Sequence, residues 1–105
     1  GKRRCALLGD MLELGDISED AHEELGALAA KSGLYCLITY GDRAERTAIT
    51  AAAKGQKTLH AHSWREAADA LLSRVAPGDA ILVKASRGMA LEKVLELFYA
   101  EFPKK

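Results

Sequence analysis

Two short runs hold the side chains best suited to chemistry. In Lys84-Ala85-Ser86-Arg87-Gly88-Met89, two cations and a hydroxyl stand just ahead of a helical stretch. Lys84, Ser86 and Arg87 can bind a carboxylate or a phosphate there, because charge-assisted hydrogen bonds from the cations add to the free N–H groups of a helix amino terminus. In Gly9-Asp10-Met11-Leu12-Glu13-Leu14-Gly15, the carboxylates of Asp10 and Glu13 can meet an ammonium group, orient a loop or act indirectly on a metal-bound phosphate. Plainer uses compete with these, since Asp commonly stabilises its own turn and a cation at a strand end is often only solvated. Spacing does not choose between the two. Asp42 and Arg43, after Gly41, repeat the ambiguity in a weaker form.

Each run follows a stretch that must be buried. Cys5 to Leu8 is a short continuous apolar run, as expected of a strand covered on both faces, Leu34 to Tyr40 reads as a second buried strand, Lys57 to His62 as a short third strand and Ala80 to Lys84 as the last, its apolar part also expected to be buried. Helical patterns separate them. Ser18 caps the first, Glu19 and Asp20 suit its positive end, Ala21, Leu25, Leu28 and Ala29 make its apolar stripe, and Gly33 ends it. The second has a small-residue face of Ala44, Ala48, Ala51 and Ala52. Ser63 and Glu66 have the spacing of a capping box, opening a helix that buries Trp64, Ala68, Leu71, Leu72 and Val75. After the Pro77-Gly78-Asp79 turn and the last strand comes a helix with Leu91, Val94, Leu95, Phe98 and Phe102 along one side. The β-α-β-α-β-α-β-α order predicts an α/β, Rossmann-like fold: a mainly parallel sheet, right-handed crossovers and helices on both faces, in three layers. Ligands of such sheets sit at the carboxyl ends of the strands. The segments from Gly9 to Gly15, Gly41 to Arg43 and Lys84 to Gly88 should therefore gather at one edge.

Composition narrows the function. A length of 105 residues suits one domain, and 49% hydrophobic beside 29% charged residues is the balance of a folded, soluble chain. Fifteen Lys and Arg against fifteen Asp and Glu leave no net field to draw nucleic acid or an anionic membrane. No apolar run reaches the roughly 18 residues of a membrane span, and no signal-peptide pattern opens the chain, which places it in the cytoplasm. Cys5 and Cys36 read as buried reduced thiols, with no metal-ligand spacing around them. His22, His60 and His62 fit neither a metal site nor a catalytic triad and read as structural, and Trp64 as a core anchor. Neither GxxxxGK[ST] nor GxGxxG occurs, so this chain alone does not complete a nucleotide site.

Taken in order, the Ala6–Gly15 run, Ser18 with His22, Leu37-Ile38-Thr39-Tyr40-Gly41, Pro77-Gly78-Asp79, and Leu82 to Met89 with Glu92 resemble the carboxy-terminal domain of the Mur ligases. The resemblance spans nearly the whole chain and is closest to the branch that adds D-alanyl-D-alanine. It implies an ATP-dependent ligase of peptidoglycan synthesis that joins D-alanyl-D-alanine to UDP-N-acetylmuramoyl-tripeptide through an acyl phosphate. By motif position, Asp10 and Met11 face the acyl-phosphate region, and Lys84, Ser86, Arg87 and Glu92 shape the dipeptide pocket. Glu13 and Asp42 complete the substrate-binding candidates, and no residue here is assigned a catalytic role. The family holds its phosphate loop and metal-organising lysine in a central domain and binds UDP in an amino-terminal one. ATP and Mg2+ are then bound mainly outside this chain, whose partners are those two domains and the two substrates. The chain also starts at what resembles the second strand of the third domain, lacking the first strand, its helix and an Asn-rich segment, and it has Ala85 where Gly is expected. Two other readings stay open: a sister Mur ligase adding another amino acid, and a free-standing, non-catalytic Rossmann-like binding module.

Overall fold

The apolar run after Arg3 forms strand β1 (Arg4–Gly9) in a computed structural model that describes residues 3–10, 18–84 and 91–102. Helices and strands then alternate: α1 (Ser18–Lys31), β2 (Cys36–Tyr40), α2 (Ala44–Ala53), β3 (Thr58–Ala61), α3 (Trp64–Arg74), β4 (Ala80–Lys84) and α4 (Leu91–Glu101). The strands lie in the order β3-β2-β1-β4, and all pairings are parallel, as the element order predicts. Register sets Gly9 beside Tyr40, Leu8 beside Lys84 and Tyr40 beside Ala61. The exits of all four strands therefore share one edge.

Alternation along the strands divides the core between two faces. Cys5, Leu7, Cys36 and Ile38 pack against Ala67, Ala68 and Leu71 of α3 and Val94 and Phe98 of α4. On the other face, Ala6, Leu8 and Leu37 pack with Ala29 of α1 and Ala51 of α2. Three layers result. Small residues bring α1 and α2 unusually close: a Cβ on Gly26 would lie 2.5 Å from the Thr47 carbonyl oxygen. Thr47 is itself buried, and its hydroxyl donates to the His22 carbonyl at 2.9 Å.

The helix faces differ from the expected ones on three helices: on α3 Ala67 is fully buried while Trp64 and Leu72 are only half-buried. On α2 the buried set is Ala44, Thr47, Ala48 and Ala51, with Ala52 exposed, because 3.6 residues per turn aligns position 47 rather than 52 with the contact stripe. On α1, His22 and Ala29 are buried while Leu28 is 62% exposed. The apolar stripe there is wider than the surface it meets.

Leu28 faces the one part of the sheet left bare among the described residues. In β4, Ile81 and Val83 reach the α3/α4 core, but Ala80, Leu82 and Lys84 are exposed, and Leu82 is 60% accessible. The expectation of strands covered on both faces holds for β1 and β2 and fails for β4. Between α1 and β4 runs a groove of about 220 Å³, walled by Leu8, Leu25, Leu28, Leu34 and Leu82 with Lys84 at its rim.

The amino edge of the sheet is pinned by a single cluster. The Arg3 guanidinium donates to the Asp79 carboxylate at 2.9 and 3.1 Å and lies 3.8 Å over the Tyr35 ring. Asp79 also accepts the Ala76 N–H, closing a turn in which Gly78 has φ +95°. Cys5 and Cys36 are register partners, buried and unlinked. Burial pushes both thiols up, Cys36 to about 11, which keeps them protonated and unreactive. At the start of α3, Ser63 Oγ accepts the Glu66 N–H, while the Glu66 carboxylate reaches the His62 N–H, one residue earlier than in the usual capping box. Among the described residues no helix is long and apolar enough to cross a membrane.

Candidate functional site

The carboxyl edge of the sheet gathers the sequence candidates that the structure describes. Asp10 follows the last residue of β1, Lys84 ends the neighbouring β4, and Asp42 stands two residues beyond the end of β2 on the other side. Parallel strands lie about 4.8 Å apart, so these three exits are neighbours across the middle of the edge. Glu92 is exposed in the first turn of α4. Met11, Glu13, Ser86 and Arg87, with the rest of segments 11–17 and 85–90, lie outside the described residues.

These side chains differ in what they are free to do. Lys84, Asp42 and Glu92 are solvent-exposed. Asp10 is only 5% exposed, and its Oδ1 accepts the Ala44 N–H at 2.6 Å, at the first residue of α2. That oxygen is occupied by the fold. The nearest chain residue that could cap α2, Arg43, has helical angles (φ −74°, ψ −31°) and offers no side-chain acceptor.

A second cluster at this edge was not singled out by sequence. Thr39 is fully buried, and its Oγ1 is hydrogen-bonded to His60 Nδ1 at 2.7 Å. The His60 ring meets His62 edge-on, with centroids 5.0 Å apart. Burial holds His60 below its ordinary value, the neighbouring His62 adds to that, and the carboxylates of Glu45, Asp10 and Asp42 oppose it. Tyr40 is pushed up by burial first and by the Asp10 charge second. His60 and His62 alternate along a short strand, and that signal alone gives no hint of the carboxylates that tertiary structure brings near them. Among the described residues no group of three or more His, Cys, Asp or Glu is placed to hold a metal ion.

A four-stranded parallel sheet with helices on both faces defines an α/β domain of the doubly wound, Rossmann-like class. Comparison with known proteins is more specific. The model of the Mur ligase, glutamate ligase domain matches residues 1–87, and the chain belongs to the Mur ligase family, whose members are ATP-dependent ligases. It is 37% identical over 98% of its length to a UDP-N-acetylmuramoyl-tripeptide--D-alanyl-D-alanine ligase of Synechocystis, and 35% identical over 90% of its length to the Bacillus subtilis protein of the same name. It spans 23% and 21% of those two relatives, so it corresponds to less than a quarter of either. MurF from Acinetobacter baumannii has the same fold over 95% of the chain and 23% of its own, with a TM-score of 0.83 at 24% identity.

Proposed function

We propose that this chain is the carboxy-terminal part of a cytoplasmic ligase that joins D-alanyl-D-alanine to UDP-N-acetylmuramoyl-tripeptide at the expense of ATP, completing a peptidoglycan precursor. The observation that carries this reading is the 37% identity, over almost the whole chain, to a relative named for that reaction. In such a ligation the tripeptide carboxylate is activated as an acyl phosphate, the dipeptide amine attacks it, an amide bond forms and phosphate leaves. This chain contributes positioning and charge neutralisation. Lys84, Ser86 and Arg87 hold the dipeptide carboxylate, Glu13, Asp42 and Glu92 supply anions for its ammonium group, and Met11 borders the acyl phosphate. The sequence has no phosphate loop, and in this reading ATP and Mg2+ are held mainly by the rest of the polypeptide.

The bare side of β4 supports a place within a larger chain. From β1 to β2 and from β2 to β3 the path moves one way across the sheet, with α1 and α2 on one face; from β3 to β4 it moves back, with α3 on the other. Right-handed crossovers impose this. A preceding parallel strand on the open edge of β4, connecting to β1, would move in the same direction as β1 to β2. Its helix would then lie on the α1 face, directly over β4, in the groove of Leu28 and Leu82.

The test is ADP release by the full-length protein as the amino component is varied. D-alanyl-D-alanine is expected to support release, and other amino acids are not. A matching family model described as a glutamate ligase domain makes glutamate the informative competitor. Release with glutamate alone would identify a sister ligase, and no release with any amino component would restore the non-catalytic binding module.

A further inference from the structure

The Asp10 carboxylate bridges two strand exits that the sequence treats as separate. Ala44 is fully buried, so its N–H has no access to water and needs a protein acceptor. The local cap position cannot supply one, because Arg43 has helical geometry and no acceptor. Asp10, 34 residues earlier, supplies it across the sheet at 2.6 Å. Its negative charge also sits where the α2 dipole is positive. The following first-turn donors are met by backbone, Glu45 N–H to the Asp42 carbonyl and Arg46 N–H to the Arg43 carbonyl, which leaves the Ala44 N–H as the first-turn donor that ties α2 to the exit of β1.

This has a consequence for the edge. Asp10 is the residue at which the chain leaves β1, and Gly41-Asp42-Arg43 is the turn by which β2 enters α2. One hydrogen bond fixes both against each other. From it we infer that Asp10 acts in the ligase as a positioning residue: it caps α2 from another strand and thereby fixes the exits of β1 and β2 against each other at the carboxyl edge, without contacting substrate itself. The inference rests on the ligase reading for its effect on turnover, but not for the contact.

A cap needs an acceptor rather than a full charge, whereas a partner for an ammonium group needs the charge. Asp10→Asn and Asp10→Ala in the full-length protein separate the two. Asp10→Ala is expected to lower kcat per folded molecule about tenfold, the scale of one buried charge-assisted bond, with KM for D-alanyl-D-alanine within about threefold. Asp10→Asn is expected to recover most of that loss. Hydrogen exchange at the peptide containing Ala44 should quicken about tenfold in Asp10→Ala and stay within about threefold in Asp10→Asn. A kcat unchanged in folded Asp10→Ala would reduce the contact to a stability element and overturn the inference. So would a raised KM for the dipeptide that Asn fails to restore, which is the mark of a substrate ligand. If the wild-type protein releases no ADP with any amino component, the ligase reading fails on its own. The exchange measurement needs no turnover, and unaltered exchange in Asp10→Ala would overturn the contact independently.

Discussion

Arg87 is where a single side chain should matter most to specificity. If its guanidinium holds the dipeptide carboxylate, Arg87→Ala removes a charge-assisted hydrogen bond of roughly 1.5–3 kcal/mol, a loss of about 10- to 150-fold in kcat/KM for D-alanyl-D-alanine. ATP should be less affected. Steady-state kinetics of the purified, folded variant decides it, and an equal loss for every substrate would point to failed domain closure instead. His60 gives a prediction of a different kind. Its value in the folded chain is depressed, chiefly by burial, so the unfolded chain takes up the proton first as pH falls. Stability contributed by the neutral ring is therefore fully present above about 6.5, the ordinary histidine value, and declines below it until the folded ring is protonated too. Urea unfolding from pH 7.5 to 5 should show that decline in the wild type and a flatter profile in His60→Asn. An equal slope in both would show that other groups govern it. Sequence could point to Asp10, Asp42 and Lys84 as candidates, because charges after apolar strands mark the ligand edge of such sheets, and to Glu92 only through the family resemblance. It could not show that one oxygen of Asp10 is occupied by Ala44, since that pairing spans 34 residues and depends on strand order.

At the level of elements, the contact between α1 and α2 reverses a general rule. Ala in place of Gly inside a helix usually stabilises by about 1 kcal/mol. At Gly26 the added methyl would sit 2.5 Å from a backbone oxygen and 3.0 Å from the Thr50 Cβ. Backbone cannot swing aside as a long side chain does, so the helices must separate and loosen the Thr47–His22 bond. Overpacking of this kind costs about 1–3 kcal/mol, so after the propensity gain Gly26→Ala should be net destabilising by up to about 2 kcal/mol. A higher melting temperature for Gly26→Ala would show that α2 yields easily. The same contact shows how far periodicity reaches. Every strand and helix was legible from apolar spacing and turn residues, and the capping pair Ser63 and Glu66 marked the start of α3 correctly. Which side of a helix is buried was less legible where small residues carry the contact. Gly26 and Thr47 add little to a hydrophobic stripe, yet their size lets the helices approach, while Leu28 adds much to the stripe and faces the groove.

At the scale of the whole molecule, the two faces of the sheet are unequally covered among the described residues, and that inequality tests the place of this chain in a longer one. Leu82 on β4 is 60% exposed and Ile49 on α2 is 53% exposed, so solvent accessibility here makes them near equals. Their surroundings differ: Leu82 lies in the concave apolar groove beside the open sheet edge, and Ile49 on the outer side of a helix already packed against the sheet. If the crossover helix expected from handedness fills the groove in the full-length ligase, Leu82 becomes a core residue there and Ile49 stays at the surface. Leu82→Asp would then lose about 2 kcal/mol of apolar burial and strand a carboxylate without a partner, at least about 3 kcal/mol in all. Ile49→Asp should stay within about 1 kcal/mol, mostly helix propensity. Unfolding of the two full-length variants side by side makes the comparison, with the ratio of their effects as the readout. Equal small effects would mean that the groove stays open in the whole protein. An effect of Leu82→Asp that appears only at concentrations where the protein dimerises would assign the groove to a second copy, and the β4 edge would then be an interface between molecules rather than a seam within one.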